Sequence, residues 1–409
     1  MINAPSSKAH TLRALIISSL AKGTSIVHAP LLGEDQLNVI EALKGLGVTI
    51  KLDKNKLIVN GVSGRYSPGV DRINIGESGV GMNFLIAAAC LTDKPIIITG
   101  ARRIKERPIA DVVNGLRQLG GEIEYLATEG FPPVKVHPGG ISGGQAEIEG
   151  KKTSQYFSAI AISAPYAREN VILKCIDDMS EKPYFDITLQ MMSKFGVEAE
   201  NRGYKEIRIS AKTRYHSREI SMEGDYSSAS FFFLAAAISG TKVTVSGLRP
   251  DTAQGDTEFL TLLKKMGCII SVYDNKICVE GKPLQAIQKD MKDIPDLVPP
   301  IAVAAAFAEG TSRFTNIGHL RHKECDRLAV ICSELEKMGV FAKCDQSALV
   351  IEGTNNIHGA QIDPHNDHRI AMSFATAGLA VGNQTIENEQ CVAKSFPDFW
   401  DTFQVFYNT

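Results

Sequence analysis

Short stretches of almost purely apolar residues recur along the chain, and each is followed by a run rich in β-branched residues. The apolar stretches have few polar positions on any side, so they predict helices that are buried all round rather than amphipathic helices on a surface. The predicted helices cover residues 12–21, 82–91, 158–164, 228–237, 297–308 and 370–381. The predicted strands that follow them cover residues 24–31, 95–99, 171–175, 241–245, 311–314 and 384–386.

A second pattern, an apolar residue followed by glycine, repeats about every 70 residues. Glycine is favoured just after the end of a helix because it adopts a left-handed backbone without steric cost. We therefore predict a second set of helices that end at these glycines, for example over residues 35–47 and 326–339. The glycines are Gly47, Gly120, Gly196, Gly267 and Gly339.

The two patterns together divide the chain into six units of βαβαββ type, the last of them incomplete. Six such units are too many for a single hydrophobic core. The 409 residues are therefore expected to form two lobes of three units each, covering residues 1–223 and 224–409. Because the apolar helices are expected inside each lobe, the sheets would lie outside them. The predicted fold class is α/β, a two-lobed inside-out α/β barrel with three repeats per lobe.

The overall charge excludes several classes of partner. The chain has 44 basic and 46 acidic residues, so no general positive field would draw it to nucleic acid or to an anionic membrane. Its longest apolar stretches are well short of the roughly 20 residues that span a bilayer. Eight cysteines are scattered without a C-x-x-C pair, a pattern typical of reduced thiols. We expect a soluble cytoplasmic protein.

Polar and charged residues are concentrated where the predicted helices begin. Helix starts present unpaired backbone N–H groups and the positive end of the helix dipole, and they therefore attract anions. If the two lobes face each other across a cleft, the cations at these junctions would favour a small ligand that carries both carboxylate and phosphate. The cations are Lys8, Arg13, Arg107, Lys323, Arg327, Arg369 and Lys394, and the candidate proton carriers are Asp296 and Glu324.

Simpler interpretations exist for some of these residues. A single lysine or arginine at a helix end is usually a solvated charge, so the hypothesis rests on seven of them at equivalent junctions. Asp326 precedes a long helix and is expected to cap its N-terminus. Four histidines near the junctions lack the spacing of a zinc site, and we predict no catalytic metal. They are His10, His319, His322 and His368.

Short charged motifs are spread over essentially the whole chain. They are Ser7-Lys8 with Arg13, Gly76 through Gly79, Glu106-Arg107-Pro108-Ile109, Ser154-Gln155, Lys182-Pro183-Tyr184, Gly224-Asp225 with Ser227-Ser228-Ala229-Ser230, Ile294-Pro295-Asp296, Lys323-Glu324 with Asp326-Arg327, Asn366-Asp367-His368-Arg369 and Lys394-Ser395-Phe396-Pro397. Together they resemble the motifs of the enolpyruvyl transferase family, most closely the branch that acts on shikimate 3-phosphate. The resemblance implies transfer of the enolpyruvyl group of phosphoenolpyruvate to the 5-hydroxyl of shikimate 3-phosphate, with release of phosphate, in aromatic amino-acid biosynthesis.

The resemblance also implies a role for each site residue. The carboxylate of phosphoenolpyruvate would be held by Arg327 and Arg369, and its phosphate by Lys8, the Gly79 amide, Arg107, Gln155 and Lys394. The acceptor would be bound by Arg13 at its carboxylate, by Thr153, Ser154 and Lys323 at its phosphate, and by Gln155, Tyr184 and Asp296. Asp296 would be the base toward the reacting hydroxyl, with Glu324 and Lys8 as proton carriers. Neither a cofactor nor a metal is implied, and we expect a monomer.

Three positions on the acceptor side depart from the family pattern. Ala9 and Glu181 stand where the family usually has serine, and His319 stands where it usually has asparagine. A carboxylate at position 181 would repel an acceptor phosphate. These departures support a second hypothesis, an enolpyruvyl transferase with a different polyol or cyclitol acceptor. A third is a catalytically silent paralogue that binds anions, and the intact set of charged residues argues against it.

Overall fold

A computed structural model of the chain describes residues 1–407. They form two compact units of helices and sheets. The N-terminal unit is Ser6–Met222, and the C-terminal unit combines Met1–Pro5 with the chain from Glu223 onward. Compared with the predicted lobes 1–223 and 224–409, the first five residues join the C-terminal unit, because they carry a short strand, β1 (Ile2–Asn3), that pairs there.

The N-terminal unit contains six α-helices and three four-stranded sheets. Its helices are α1 (Lys8–Leu20), α2 (Glu34–Gly45), α3 (Gly79–Ala89), α4 (Ala110–Gln118), α5 (Gln155–Ser163) and α6 (Lys182–Lys194). Its strands are β2 (Lys22–His28), β3 (Thr49–Asp53), β4 (Lys56–Val62), β5 (Arg72–Asn74), β6 (Ile96–Thr99), β7 (Ile123–Tyr125), β8 (Val134–Val136), β9 (Gly144–Ile148), β10 (Val171–Cys175), β11 (Ala199–Arg202), β12 (Glu206–Ile209) and β13 (Glu219–Ser221). The strand orders are β13-β2-β4-β3, β5-β6-β8-β7 and β11-β12-β10-β9.

The described part of the C-terminal unit repeats this plan, but its third sheet has only two strands. Its helices are α7 (Tyr226–Ser239), α8 (Glu258–Lys265), α9 (Val298–Ala306), α10 (Arg327–Lys337), α11 (His368–Val381) and α12 (Phe399–Phe403). Besides β1, its strands are β14 (Lys242–Ser246), β15 (Ile269–Tyr273), β16 (Lys276–Glu280), β17 (Gln288–Asp290), β18 (Thr311–Thr315), β19 (Phe341–Cys344), β20 (Leu349–Glu352), β21 (Gln361–Ile362) and β22 (Thr385–Ile386). The strand orders are β1-β14-β16-β15, β17-β18-β20-β19 and β21-β22.

Short 3₁₀ helices occur in both units, mainly where the chain approaches an α-helix. They cover Ile104–Glu106, Ala164–Tyr166, Gly255–Thr257, Pro295–Leu297, Gly318–His322, Glu389–Lys394 and Gln404–Phe406. The α/β fold of six repeats, with an incomplete sixth, is confirmed.

In each unit, the edge strand of the first sheet comes from a distant part of the chain. β13 runs parallel to β2, with Glu219 opposite Ile26. β1 runs parallel to β14, with Ile2 opposite Val245. The chain therefore starts in the C-terminal unit, builds the N-terminal unit, and closes that unit with β13 before it returns.

The first helix of each repeat forms the interior. In the N-terminal unit, α3 packs against α1 and α5, and in the C-terminal unit α7, α9 and α11 pack against one another. All nine residues of α9 are buried. Some of these helices begin before their apolar stretch because a polar side chain caps them. In α1, the Ser7 Oγ accepts a hydrogen bond from the backbone N–H of His10, so the helix starts at Lys8.

The repeated glycines end the second helix of each of the first five repeats, as predicted. At Gly47 the backbone is left-handed (φ +93°), and its N–H donates to the Lys44 carbonyl at 2.9 Å. The helix itself ends two residues earlier, at Gly45. The same left-handed backbone occurs at Gly120, Gly196, Gly267 and Gly339. The predicted cap is also confirmed, since the Asp326 side chain accepts from the Ala329 N–H at the start of α10.

Within residues 1–407, no helix combines the length and the apolar character needed to cross a bilayer. The eight cysteines are free thiols, and six of them are buried. Cys332 and Cys344 are half-buried.

Candidate active site

Five of the predicted site residues come together where helices of the C-terminal unit begin. Asp296 lies in the 3₁₀ helix before α9, Arg327 is the first residue of α10, and Arg369 is the second residue of α11. Glu324 lies shortly before α10, and Lys394 ends the 3₁₀ helix that follows β22. Asp326 caps α10 and Asp367 caps α11, which fixes the backbone that carries Arg327 and Arg369.

The Arg327 guanidinium is fully buried and is bound by three carboxylates. Its Nε lies 2.7 Å from Oδ2 of Asp367 and its Nη1 lies 2.9 Å from Oδ1 of Asp296. Its Nη2 lies 2.9 Å from Oε2 of Glu324. Burial alone would lower the pKa of Arg327, but the charges of the three carboxylates raise this pKa well above its ordinary value. The cation is therefore permanent and held in one orientation.

Asp296 connects this guanidinium to a second one. Its Oδ2 lies 2.8 Å from Nη2 of Arg369, while its Oδ1 binds Arg327. Arg369 also donates a hydrogen bond from Nη1 to the hydroxyl of Ser227. Two buried guanidiniums thus converge on one carboxylate, and this arrangement is one that a carboxylate ligand could also satisfy.

Glu324 and Asp367 complete the cluster. Glu324 places one oxygen on Arg327 and the other 3.5 Å from the Lys394 ammonium. Asp367, completely buried, also accepts from the Arg369 N–H at 2.9 Å and from the Cys325 thiol at 3.7 Å. All three carboxylates contact Arg327. An anionic ligand that binds this guanidinium would therefore have to replace one of these contacts.

In the N-terminal unit, Arg13 is buried in a different environment. Its Nε donates to Thr188 Oγ1 at 2.7 Å, and its Nη1 and Nη2 donate to the carbonyls of Ala9 (2.9 Å) and Tyr184 (2.7 Å). The guanidinium carbon lies 5.4 Å from the centre of the Phe84 ring. Burial lowers the pKa of Arg13 to about 10, although Tyr184 and the charge of Glu181 oppose this shift. The group stays charged at neutral pH.

Gly79, Arg107 and Gln155 lie together at the start of α3. A side chain at position 79 would collide with the Arg107 guanidinium, so glycine is needed for this close approach. One turn along α3, the Asn83 Nδ2 donates to the Gly79 carbonyl at 3.2 Å and to the Gln155 Oε1 at 3.0 Å. An arginine and an amide side chain are thus grouped beside the N-terminus of a helix, which suits a phosphate.

Thr153 and Ser154 both bind Glu181 at the start of α6. The Thr153 hydroxyl donates to the Glu181 carboxylate, and the Ser154 hydroxyl donates to the Glu181 carbonyl at 2.9 Å. Glu181 is buried and has a left-handed backbone (φ +62°), which is costly for a residue other than glycine. The two hydroxyls predicted to bind an acceptor phosphate therefore already bind a residue that carries a carboxylate.

The remaining predicted residues are Lys8, Lys323 and Tyr184, and Tyr184 lies in α6 with its carbonyl bound to Arg13. Lys8 is the first residue of α1, and its ammonium lies 3.5 Å from a carboxylate oxygen of Asp35, a buried residue of α2. Lys323 is buried and directly precedes Glu324 in the chain.

A comparison with known protein families identifies the family to which this chain belongs. The sequence pattern of EPSP synthase (3-phosphoshikimate 1-carboxyvinyltransferase) matches residues 1–403. The chain belongs to the EPSP synthase family.

Relatives of the same family cover the full chain. Proteins called 3-phosphoshikimate 1-carboxyvinyltransferase from Methanoregula boonei and Methanosphaerula palustris are 40% and 41% identical to it, over 98% and 97% of this chain and 95% and 94% of theirs. One from Shewanella halifaxensis is 39% identical over 100% of this chain and 96% of its own. An EPSP synthase structure from Acinetobacter baumannii superposes with a TM-score of 0.82 at 27% identity, covering 98% of this chain and 94% of that one.

The predicted residues thus fall into groups within each unit of this EPSP synthase family member. Asp296, Glu324, Arg327, Arg369 and Lys394 form one ion-pair network. Gly79, Arg107 and Gln155 form a second group, and Thr153 and Ser154 meet at Glu181. Their individual roles toward substrate remain predictions.

Four residues that bind this machinery were not among the predicted site residues. Asp367 and Ser227 hold the two arginines, Asp35 lies beside Lys8, and Asn83 binds Gln155. Asp367 had a local signal, since an aspartate before a helix is a typical cap. Ser227 lies in one of the motifs quoted from the sequence, but its contact with Arg369 joins separate segments of the chain. The contacts of Asp35 and Asn83 do so as well, and no spacing in the sequence indicates any of the three.

Proposed function

We propose that the chain transfers the enolpyruvyl group of phosphoenolpyruvate to the 5-hydroxyl of shikimate 3-phosphate and releases phosphate. The names of the full-length relatives support this reaction. The structural observation that carries it is the convergence of Arg327 and Arg369 on the single carboxylate of Asp296. Two guanidiniums at this spacing suit the carboxylate of phosphoenolpyruvate.

Binding of phosphoenolpyruvate would change the state of Asp296. The substrate carboxylate would take over hydrogen bonds from Arg327 and Arg369, which releases the Asp296 carboxylate from them. A released carboxylate is a better proton acceptor than one held by two guanidiniums. In this proposal Asp296 accepts the proton of the acceptor hydroxyl only after phosphoenolpyruvate has bound.

The chemistry then needs an acid as well as a base. The acceptor oxygen bonds to the central carbon of phosphoenolpyruvate, and the methylene carbon gains a proton from the Lys8 ammonium or from Glu324 in its protonated form. The resulting tetrahedral adduct loses phosphate and returns one methyl proton to the residue that gave it, which restores the double bond on the product. Cations would stabilise the departing phosphate. They are Lys8, Arg107 and Lys394, with Gln155 as an uncharged donor.

A second candidate function is favoured by one observation, the position of Glu181. Its buried side chain accepts from Thr153, and its carbonyl accepts from Ser154. A carboxylate beside a bound phosphate is repulsive at short range, whereas it would accept a hydrogen bond from a neutral hydroxyl. The second candidate is therefore enolpyruvyl transfer to a polyol or cyclitol that has a hydroxyl in place of the phosphate.

One assay separates the two candidates. The purified chain is incubated with phosphoenolpyruvate and either shikimate 3-phosphate or unphosphorylated shikimate, and the product is identified by mass spectrometry. The proposed function predicts an enolpyruvyl ether of shikimate 3-phosphate, and a product from shikimate alone favours the second candidate. Lys8→Met is the matched control and should lower turnover by about a hundredfold or more without unfolding. A folded chain that makes neither product would instead be the catalytically silent paralogue.

The proposal includes two expectations from the sequence, that the chain acts in the cytoplasm and that it acts as a monomer. Light scattering at assay concentration measures the monomer directly. A stable dimer would contradict that part of the proposal and leave the reaction unaffected.

A further inference from the structure

Asn83 is the fifth residue of α3, and its side chain is hydrogen-bonded to Gln155. It is 6% exposed, and its amide nitrogen makes two hydrogen bonds, to the Gly79 carbonyl at 3.2 Å and to the Gln155 Oε1 at 3.0 Å. Its Oδ1 has no hydrogen-bond partner within residues 1–407. Both hydrogen bonds of this buried amide are made by its nitrogen, so the nitrogen determines the orientation of the side chain.

The hydrogen bond to Gly79 determines which way the Asn83 amide faces. A backbone carbonyl can only accept, so the atom of Asn83 that faces it must be the donor nitrogen. A flipped amide would place Oδ1 against the Gly79 carbonyl, and two acceptors would then repel each other.

The same reasoning determines the orientation of Gln155. The second proton of the Asn83 nitrogen points to Gln155, so the facing atom of Gln155 must be its acceptor, Oε1. The Gln155 Nε2, with its two donor protons, is therefore directed away from Asn83. The Gly79 carbonyl in α3 thus determines, through Asn83, which end of the Gln155 amide in α5 faces away from Asn83.

We propose that Asn83 is a positioning residue that makes Gln155 present its NH₂ group, and not its oxygen, to the phosphate of phosphoenolpyruvate. This inference rests on the proposed function, which assigns that phosphate to Gln155. Only donors stabilise a phosphate, because its oxygens accept hydrogen bonds and carry negative charge. An amide free to rotate would offer an oxygen to the phosphate part of the time.

The test compares three variants by calorimetric titration with phosphoenolpyruvate alone and by steady-state kinetics. Asn83→Ala frees the Gln155 amide, and we expect affinity for phosphoenolpyruvate to fall severalfold. Asn83→Asp puts an acceptor opposite Gln155 and turns its NH₂ inward, so we expect a larger loss, about tenfold or more. Gln155→Glu keeps the acceptor toward Asn83 but removes the outward donors, and it should lose at least as much. Turnover at saturating phosphoenolpyruvate should change less than KM.

A double variant distinguishes positioning from a general structural effect. If Asn83 acts only through Gln155, then Asn83→Ala should have no further effect on phosphoenolpyruvate affinity in a Gln155→Ala background. Thermal unfolding of each variant shows that it is folded. The inference is wrong if Asn83→Ala and Asn83→Asp both bind phosphoenolpyruvate as the unaltered chain does, or if the effect persists without the Gln155 amide. Failure of the proposed function would appear separately, as absence of product from shikimate 3-phosphate.

Discussion

Arg327, at the start of α10, and Arg13, inside α1, are both buried arginines, but their hydrogen-bond partners differ completely. Arg327 in the C-terminal unit is bound by Asp367, Asp296 and Glu324, and these charges raise its pKa well above the ordinary value against the effect of burial. Arg13 in the N-terminal unit is held by a hydroxyl and two carbonyls, and burial lowers its pKa to about 10.

The difference indicates two ways of preparing a site for an anion. Around Arg327 the protein supplies the countercharge itself, so a ligand has to displace Asp296 from part of its contacts. Among residues 1–407, no carboxylate forms an ion pair with Arg13. The charge of Glu181 favours the Arg13 cation without forming an ion pair with it, and an acceptor carboxylate would pair with the guanidinium directly.

The largest expected effect is on stability. Arg327→Met leaves the buried Asp367 without its arginine and takes one of two cations from Asp296 and from Glu324. We therefore expect the free energy of unfolding to fall by about 3–5 kcal/mol. Arg13→Met removes a cation whose partners are neutral, and it should cost less, about 1–3 kcal/mol for the acceptors left unpaired. Urea denaturation of both variants measures the difference. Equal losses of unfolding free energy in the two variants would contradict the proposed difference between Arg327 and Arg13.

The next largest effect is expected at Asp296, whose carboxylate would compete with that of phosphoenolpyruvate for Arg327 and Arg369. Asp296→Ala removes the proposed base, and turnover should fall by about a hundredfold or more. The same change removes a competing carboxylate from Arg327 and Arg369, so phosphoenolpyruvate should bind more tightly than to the unaltered chain. Kinetics and calorimetry give the two values. Asp401→Ala, an exposed carboxylate in the same unit, is the control. Weaker binding of phosphoenolpyruvate by Asp296→Ala would refute the proposal that the substrate carboxylate displaces Asp296 from the two arginines.

A smaller effect is expected at Arg13. Since its cation is proposed to meet the acceptor carboxylate, Arg13→Met should weaken binding of shikimate 3-phosphate by about ten- to a hundredfold. Phosphoenolpyruvate binding should stay within about twofold. Arg13→Lys keeps the charge and should lose less acceptor affinity. If all three proteins bind shikimate 3-phosphate equally in calorimetry, Arg13 is a structural residue only.

The smallest expected effect is at Glu181. Glu181→Gln removes the negative charge but keeps an oxygen that can accept from Thr153. Shikimate 3-phosphate should bind about tenfold more tightly, because repulsion of its phosphate is removed. Unphosphorylated shikimate should gain nothing. An unchanged or weaker affinity for shikimate 3-phosphate would show that the carboxylate does not face the phosphate.

Much of the fold could be predicted because its signals are local. The apolar inner helices and the glycines such as Gly47 and Gly339 are visible within a few residues, and the periodicity of about 70 residues follows from them. The pairing of Ile2 with Val245 could not be predicted in this way. It joins the two ends of a long chain segment, and a two-residue strand has no pattern of its own.

The site shows the same division between local and distant signals. Asp296, Arg327 and Arg369 each stand at a helix start and were predicted there. Their partners were not, since Ser227 is 142 residues from Arg369. The orientation of the Gln155 amide depends on Asn83 and the Gly79 carbonyl, a relation that only the three-dimensional structure reveals.

The central claim is that this charged site consumes phosphoenolpyruvate together with a phosphorylated acceptor. The most direct measurement is the ³¹P NMR spectrum of the purified chain with phosphoenolpyruvate, recorded before and after addition of shikimate 3-phosphate. We expect the phosphoenolpyruvate signal to convert to inorganic phosphate only after the acceptor is added, in equal amount to the enolpyruvyl ether formed. An unchanged phosphoenolpyruvate signal with folded protein and both substrates present would contradict the claim.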